Sequence, residues 1–236
     1  MNPKLKHSLR LVISLAVAGL CSGFVLVGVY KGTQPRIQRN RAEAIQKAIF
    51  NVVPGTASTG ALRVENGSLV PFEGNIGATE ERLVYTGLAE DGSLVGFAIP
   101  GDGSGFMDTI SLIYGFNPQQ RVITGMEVLE SKETPGLGDK IMKDDAFRAN
   151  FAALPVEGGI KGVKKGKKVH PNEVDCITGA TISSKAVISI INDSNEETLP
   201  LIENFRMPAA DQPSAESEAP VSEVGAADSQ AEGGGQ

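Results

Sequence analysis

From residue 11 to residue 30 the chain runs twenty positions without a formal charge, LVISLAVAGLCSGFVLVGVY. A helix rises about 1.5 Å per residue, so such a stretch is about 30 Å long, the thickness of a bilayer's hydrocarbon core. The expectation is a single transmembrane helix over residues 9–31, after a short N-terminal stub of residues 1–8. Ala16-Val17-Ala18 has the small-x-small pattern of a signal-peptide cleavage site, but apolar residues continue for a dozen positions past it, so the segment reads as a retained anchor. A lipoprotein signal would need a small residue before Cys21, where Leu20 stands. Charge does not orient the anchor: Lys4, Lys6 and Arg10 on one side face Lys31, Arg36, Arg39 and Arg41 on the other.

The chain past the anchor has room for one globular domain of roughly 150 residues with extensions. The formal net charge is -6, from 22 basic and 28 acidic residues, and its distribution matters more than its sum. Residues 207–236 carry six acids (Asp211, Glu216, Glu218, Glu223, Asp228, Glu232) and no Lys or Arg, so the chain before them is neutral. Nucleic acid is therefore not an expected partner. The tail, rich in Ala, Ser, Pro, Glu and Gly, lacks the apolar residues for a core and is expected to be disordered. Two cysteines and two histidines (Cys21, Cys176, His7, His170) are too few and too scattered for a zinc or haem site, no metal site is expected, and both thiols should be free.

Residues 36–50 place Ile37, Ala42, Ile45 and Ile49 at helical spacing before Pro54-Gly55, which predicts a juxtamembrane stalk helix within residues 32–55, with a mobile linker as the other reading. The domain, residues 56–206, then changes to period two. Residues 83–89 and 94–99 flank Asp91-Gly92, a hairpin turn signal. A second pair, 109–116 and 121–130, is joined by Asn117-Pro118-Gln119-Gln120; Ile110, Leu112 and Tyr114 face Val122, Met126 and Val128 as a half-buried antiparallel sheet requires. Between the pairs, Gly101-Asp102-Gly103-Ser104-Gly105-Phe106 lacks the GxGxxG spacing and opens no clear helix, which excludes a Rossmann site and leaves an ordinary loop or a loop close to a ligand. Pro135-Gly136 signals a type II turn, and Gly138 allows another positive φ. Residues 146–151 read as a short helix. Lys161, Lys164, Lys165, Lys167 and Lys168 read as a solvated loop, with a docking surface for an acidic partner or a phosphate-bearing cofactor as the other reading. Ile182, Ala186, Val187, Ile190 and Ile191 then share one helical face. Asn192-Asp193-Ser194-Asn195 and Pro200 predict a break before a short terminal helix to about Phe205. The fold class is α+β, an antiparallel sheet with packed helices.

Chemistry concentrates in Asp175-Cys176-Ile177-Thr178-Gly179-Ala180-Thr181-Ile182-Ser183-Ser184, a hydroxyl cluster and a glycine at a helix start. The first N–H groups of a helix have no intrahelical partner and the macrodipole adds partial positive charge, so such a start accepts anions. Nothing in the sequence brings His170, the domain's one histidine, to Thr181 as a base, so a threonine-nucleophile hydrolase fits poorly and no catalytic residue is assigned. A plain capped helix, with Thr178 or Thr181 as N-cap, stays open on spacing alone.

Asp175-x-x-Thr178-Gly179-Ala180-Thr181 resembles the D-x-x-(S/T)-G-A-T signature of covalent FMN-binding domains, in which the last threonine carries the flavin through a phosphoester bond. The Glu133-Thr134-Pro135-Gly136-Leu137-Gly138 stretch is similar to the E-T-P-G-L-G segment of that family. Residues 9–205, with one membrane helix, a stalk and an α+β domain, resemble the G subunits of the Rnf electron-transport complexes, with the C subunits of sodium-translocating NADH:quinone reductases as close relatives. The resemblance implies covalent FMN on Thr181, with Thr178, Gly179 and Ala180 shaping the phosphate pocket. It implies that Asp175 serves recognition or metal-assisted attachment by a separate flavin transferase, and that Glu133, Thr134 and Leu137 line the flavin. Lys132 stands where many relatives have histidine.

The function so implied is that of a membrane-anchored flavoprotein electron carrier within an ion-translocating ferredoxin:NAD oxidoreductase. It would not be catalytic alone, would be partnered by the other subunits, and would sit in the bacterial cytoplasmic membrane with its domain on the extracytoplasmic side. A C-type subunit of the quinone reductase, a stand-alone anchored flavin reductase and a non-redox binding module are the rival readings.

Overall fold

The computed structural model describes residues 3–79 and 81–205; the expected disordered tail lies outside the described residues. Anchor and stalk are one element, α1 (Pro3–Val52), rather than two helices. The described side chains between residues 10 and 33 are solvent-facing, as a membrane span without its membrane would be, and the helix is long and apolar enough to cross one. Its C-terminal part docks: Ile45, Ala48, Ile49 and Val52, with Val53, bury against Leu83, Tyr85, Ala98 and Ile113, and the turn at Gly77 packs on Gln38 and Ala42.

Those four sheet residues lie on one face of a seven-stranded antiparallel sheet. Its strands are β1 (Ser58–Glu65), β2 (Ser68–Pro71), β3 (Leu83–Leu88), β4 (Leu94–Ser104), β5 (Thr109–Asn117), β6 (Val122–Ser131) and β7 (Leu154–Pro155), in the order β2-β1-β3-β4-β5-β6-β7. The intervening residues Val84, Phe97, Ile99, Leu112 and Tyr114 point to the opposite face, into the larger core, so both faces of the central strands are covered. Tyr114 pairs with Met126 and Leu112 with Val128. A register shift at Gly115/Phe116 changes the parity beyond them: Ile123 turns inward in place of the expected Val122, which is half-buried opposite Asn117.

The glycine-rich stretch expected to be a loop is mostly strand. Pairing of β4 with β5 continues to Ser104↔Thr109, and only 105–108 turn back. Gly101 and Gly103 admit the helix on the large-core face, since a Cβ at either would lie within 2.9 Å of the Ile190 side chain.

That helix, α4 (Thr181–Asn204), is unbroken, against the break expected at residues 192–195 and Pro200. Of the polar residues that suggest a break in the sequence, Asp193 is exposed, while Asn192, Ser194 and Asn195 face inward and are hydrogen-bonded. Asn195 Oδ1 accepts from the buried Tyr114 hydroxyl at 2.8 Å, Ser194 donates to Pro100 O, and Asn192 donates to Ile160 O while accepting from Ile160 N–H. Arg82 reaches across to Ser194 and Glu197. Pro200 forgoes one helix hydrogen bond, a loss of about 3 kcal/mol in a free helix; here Ile202 is buried beyond it and Phe205 stacks edge-on against Phe97 at 5.9 Å.

Two short helices, α2 (Lys140–Lys143) and α3 (Asp145–Ala149), follow β6. The lysine-rich segment is partly ordered as β8 (Lys161–Lys164), paired in parallel with β9 (Glu173–Cys176), which delivers the chain to α4.

Candidate functional site

β9 ends at Cys176, and a tight turn over residues 177–180 connects it to α4. Ala180 N–H donates to Ile177 O at 3.0 Å, and Gly179 takes φ +84°, a left-handed conformation that side chains rarely adopt. Ser184, fully buried, fixes this turn from within: its hydroxyl accepts from Ile177 N–H at 3.0 Å and donates to Ala180 O at 2.9 Å.

The N-cap is neither Thr178 nor Thr181 but Ala180, whose side chain cannot accept a hydrogen bond. The N–H groups of Thr181, Ile182 and Ser183, the first three positions of a 24-residue helix, thus have no intrahelical acceptor and, among the described residues, no cap. Thr178, Gly179 and Thr181 are exposed. Among the described residues the Thr181 hydroxyl has one hydrogen-bond contact, Ile177 O at 3.5 Å, the outer limit of a hydrogen bond. An open set of donors beside a free hydroxyl is what a phosphoryl group tethered through oxygen requires.

The second motif, residues 133–138, folds against this helix start. Leu137 N–H and Asp139 N–H both donate to Thr134 O, and Gly136 has φ +79°, as a type II turn at Pro135-Gly136 demands. Gly138 does not take the expected positive φ; it is needed for space, because a Cβ there would fall 2.4 Å from Glu133 Oε2.

Glu133 is 5% exposed, and its carboxylate is engaged on both sides. Oε1 accepts from the backbone N–H groups of Phe106 (2.7 Å) and Met107 (2.9 Å); Oε2 accepts from the Ser183 hydroxyl at 2.6 Å. Burial pushes this carboxyl up, but the hydrogen bonds from Ser183, Met107 and Phe106 together outweigh burial and hold it below the usual carboxylate range. The hydrogen bonds described for Glu133 are all made inside the protein.

Large apolar side chains are exposed on the segments that meet at the helix start. Phe106 is 60% exposed, Met107 64%, Leu137 50% and Ile182 60%. Helical spacing puts Ile182 on the core face, but Ser183 and Ser184 take the inward positions of the first turn and leave it outside. Leu137 lies over Gly179, with its Cδ2 3.9 Å from where a Cβ would be. Thr134, half-buried, contributes its carbonyl to the turn. Donors and a hydroxyl at the helix start, with the apolar side chains of Leu137 and Ile182 beside them, are residues that could hold a phosphate-bearing aromatic cofactor.

Asp175 is placed differently from its neighbours in the motif. Its carboxylate accepts from Gly166 N–H at 2.8 Å, holding the lysine loop, and it borders a cleft of about 240 Å³ with Asp144, Phe147, Asn150, Lys165 and Lys168. Glu173 caps the same loop by accepting from Val169 and His170 N–H. Sequence reasoning missed the contact of the 105–108 turn with Glu133 and the Glu133–Ser183 pair; the signal was the glycine-rich 101–106 stretch, read above as an ordinary loop or one close to a ligand, in which a Cβ on Gly105 would lie 2.4 Å from Glu133 Oε1.

Residues 105–196 match the FMN-binding domain family. The chain is 29% identical over 189 residues to the G subunit of the ion-translocating oxidoreductase complex of Methanosarcina acetivorans, covering 80% of this chain and 93% of that one. It is 33% identical over 145 residues to the G subunit of the Na(+)-translocating ferredoxin:NAD(+) oxidoreductase complex of Acetobacterium woodii, covering 61% and 68%. In fold it is similar to the crystal structure of Shewanella oneidensis NqrC, with a TM-score of 0.57 at 16% identity over 70% of this chain and 97% of that one. The C subunit of the Parabacteroides distasonis Na(+)-translocating NADH-quinone reductase gives the same TM-score of 0.57 at 21% identity, over 75% and 97%. Its sequence relatives and its FMN-binding domain together make this chain a member of the family of G subunits of ion-translocating oxidoreductase complexes.

Proposed function

We propose that the chain is a membrane-anchored electron carrier that holds FMN through a phosphoester to Thr181, as a subunit of an ion-translocating ferredoxin:NAD oxidoreductase. The observation that carries this reading is the uncapped start of α4 with an exposed threonine hydroxyl, inside a segment that matches the FMN-binding family. The Thr181, Ile182 and Ser183 N–H groups would hold the phosphate, Gly179 would let it approach the backbone, and Leu137 and Ile182 would flank the ring. Bound there, FMN supplies one- and two-electron transfer; the chain orients it and sets its surroundings. A phosphodiester at this position keeps one negative charge, which a helix start stabilises by about 0.3 to 1 kcal/mol when exposed and more when partly buried.

No side-chain base contacts the Thr181 hydroxyl among the described residues, which supports attachment by a separate flavin transferase. The lysine loop and Asp175 offer that enzyme a charged landing surface beside the threonine. Electron donor, acceptor and ion passage would belong to the other subunits. The domain is assigned to the extracytoplasmic side of a bacterial cytoplasmic membrane, where a covalent tether prevents loss of the cofactor. Protease accessibility in intact spheroplasts checks that orientation.

Mass spectrometry of the chain coexpressed with a flavin transferase should find FMN on the peptide containing Thr181. A bare Thr181 peptide would overturn the tether, and isolation of the chain from its native membrane, under mild detergent, without any other subunit would overturn the place in a complex.

A further inference from the structure

The loop over residues 105–108 is held in an unusual way. Its backbone N–H groups converge on one oxygen, as in a small anion nest, but the anion is the protein's own Glu133. The loop closes on itself through Gly105 N–H to Asp108 O at 2.9 Å, and Lys132 pairs with Asp108 at 3.2 Å. Through its other oxygen the same carboxylate grips Ser183, two residues beyond Thr181. One buried side chain thus fastens three segments: the 105–108 turn, the 133–138 turn and the start of α4. The two glycines facing it, Gly105 and Gly138, leave room for each of its oxygens, since a Cβ at either would lie 2.4 Å from one. Outward, this arrangement presents Phe106 and Met107, large apolar side chains more than half exposed on a loop tip. Such exposure on an isolated turn gains nothing in folding.

We propose that Glu133 is a positioning residue that does not touch the flavin but locks the 105–108 turn to the start of α4, so that Phe106 and Met107 form an apolar wall for the isoalloxazine opposite Leu137. The inference rests on Thr181 carrying FMN, and it deepens that reading by naming a second wall that neither family signature contains. It also separates two jobs that the sequence merges: Thr181 holds the cofactor, and Glu133 holds what the cofactor leans on.

The test uses the full chain, coexpressed with a flavin transferase and kept in detergent, as wild type and as Glu133→Gln, Gly105→Ala and Phe106→Ala/Met107→Ala variants. Gln retains the size of Glu133 but brings donors to where three donors already point. Glu133→Gln should keep FMN on Thr181 by mass spectrometry, while exchange of the Phe106 and Met107 amides accelerates roughly 10- to 100-fold. Quenching of flavin fluorescence by iodide should rise toward that of free FMN. Gly105→Ala should reproduce both effects without altering charge. The double alanine variant should raise quenching and leave exchange in α4 unchanged. Unaltered exchange at Phe106 and Met107 in Glu133→Gln overturns the brace, and this readout works with or without flavin. Faster exchange with unaltered quenching in every variant overturns the wall. Altered quenching with unaltered exchange would mean that Glu133 meets the flavin directly, which also overturns the proposal. Failure of the Thr181 reading shows separately, as a wild-type chain without an adduct. Should Glu133→Gln not fold, Ser183→Ala removes one of its three bonds and is read in the same way.

Discussion

Ser184→Ala tests how the helix start is held without touching the residues assigned to the cofactor. The Ser184 hydroxyl is fully buried and makes two bonds, from Ile177 N–H and to Ala180 O. Ala180 O also accepts from Ser184 N–H at 2.9 Å, so it stays satisfied in the variant. The loss therefore falls on Ile177 N–H, left buried without an acceptor, at about 1–3 kcal/mol. Alanine returns roughly 0.5 kcal/mol through better helix propensity. The expected net loss is about 1.5 kcal/mol, or about 3–6 °C in Tm for a domain of this size. Thermal unfolding of the detergent-solubilised chain followed by circular dichroism reads it, with Ser189→Ala as the control. Ser189 is exposed and its hydroxyl reaches Asp193 at 3.3 Å, so that change should stay within about 0.5 kcal/mol. A Ser184→Ala shift no larger than the Ser189→Ala shift would refute the account of the turn.

Thr181→Ala should abolish the covalent chromophore in a denaturing gel while leaving Tm of the unloaded chain within about 1 °C, because the hydroxyl makes only a 3.5 Å contact. Tyr114→Phe should cost about 1–3 kcal/mol by chemical denaturation, since it strands the buried Asn195 Oδ1. On acidification, folding stability should fall once pH drops below the ordinary carboxylate value of about 4.3. Glu133 and Glu173 both lie below their usual range in the folded chain, so each stabilises above that value and loses its contribution as pH falls through its own lower one. Glu133→Gln should flatten this acid limb in a pH series of Tm values, and an unchanged limb would remove Glu133 as a contributor.

Much of the fold was legible because it rests on local periodicity. The 83–89 and 94–99 hairpin and the 109–116 and 121–130 pair appear as β3/β4 and β5/β6 with bounds moved by few residues, except at the far end of β4. That exception, and the uninterrupted α4, share a cause. Gly101, Gly103, Ser194 and Asn195 look like breakers along the chain, yet they are the facing surfaces of one packed contact. A residue chosen for what lies opposite carries no local signal of it. The site shows the same division. The Thr178 to Thr181 motif is contiguous and visible in the chain; the brace joins residues 106, 133 and 183, which only the folded sheet brings together.

α1 joins the apolar stretch to the sheet as one continuous helix with a single proline inside it. Its last turns are rooted in the sheet, and the ring of Pro35 removes one hydrogen bond just past the apolar stretch, where bending is least opposed. Any tilt there swings the whole sheet as a lever, and a bend of about 20° moves each point by roughly a third of its distance from the joint. Because α1 is one helix from the apolar stretch to the sheet, a bend at Pro35 would carry the start of α4 along with the sheet on which that helix packs.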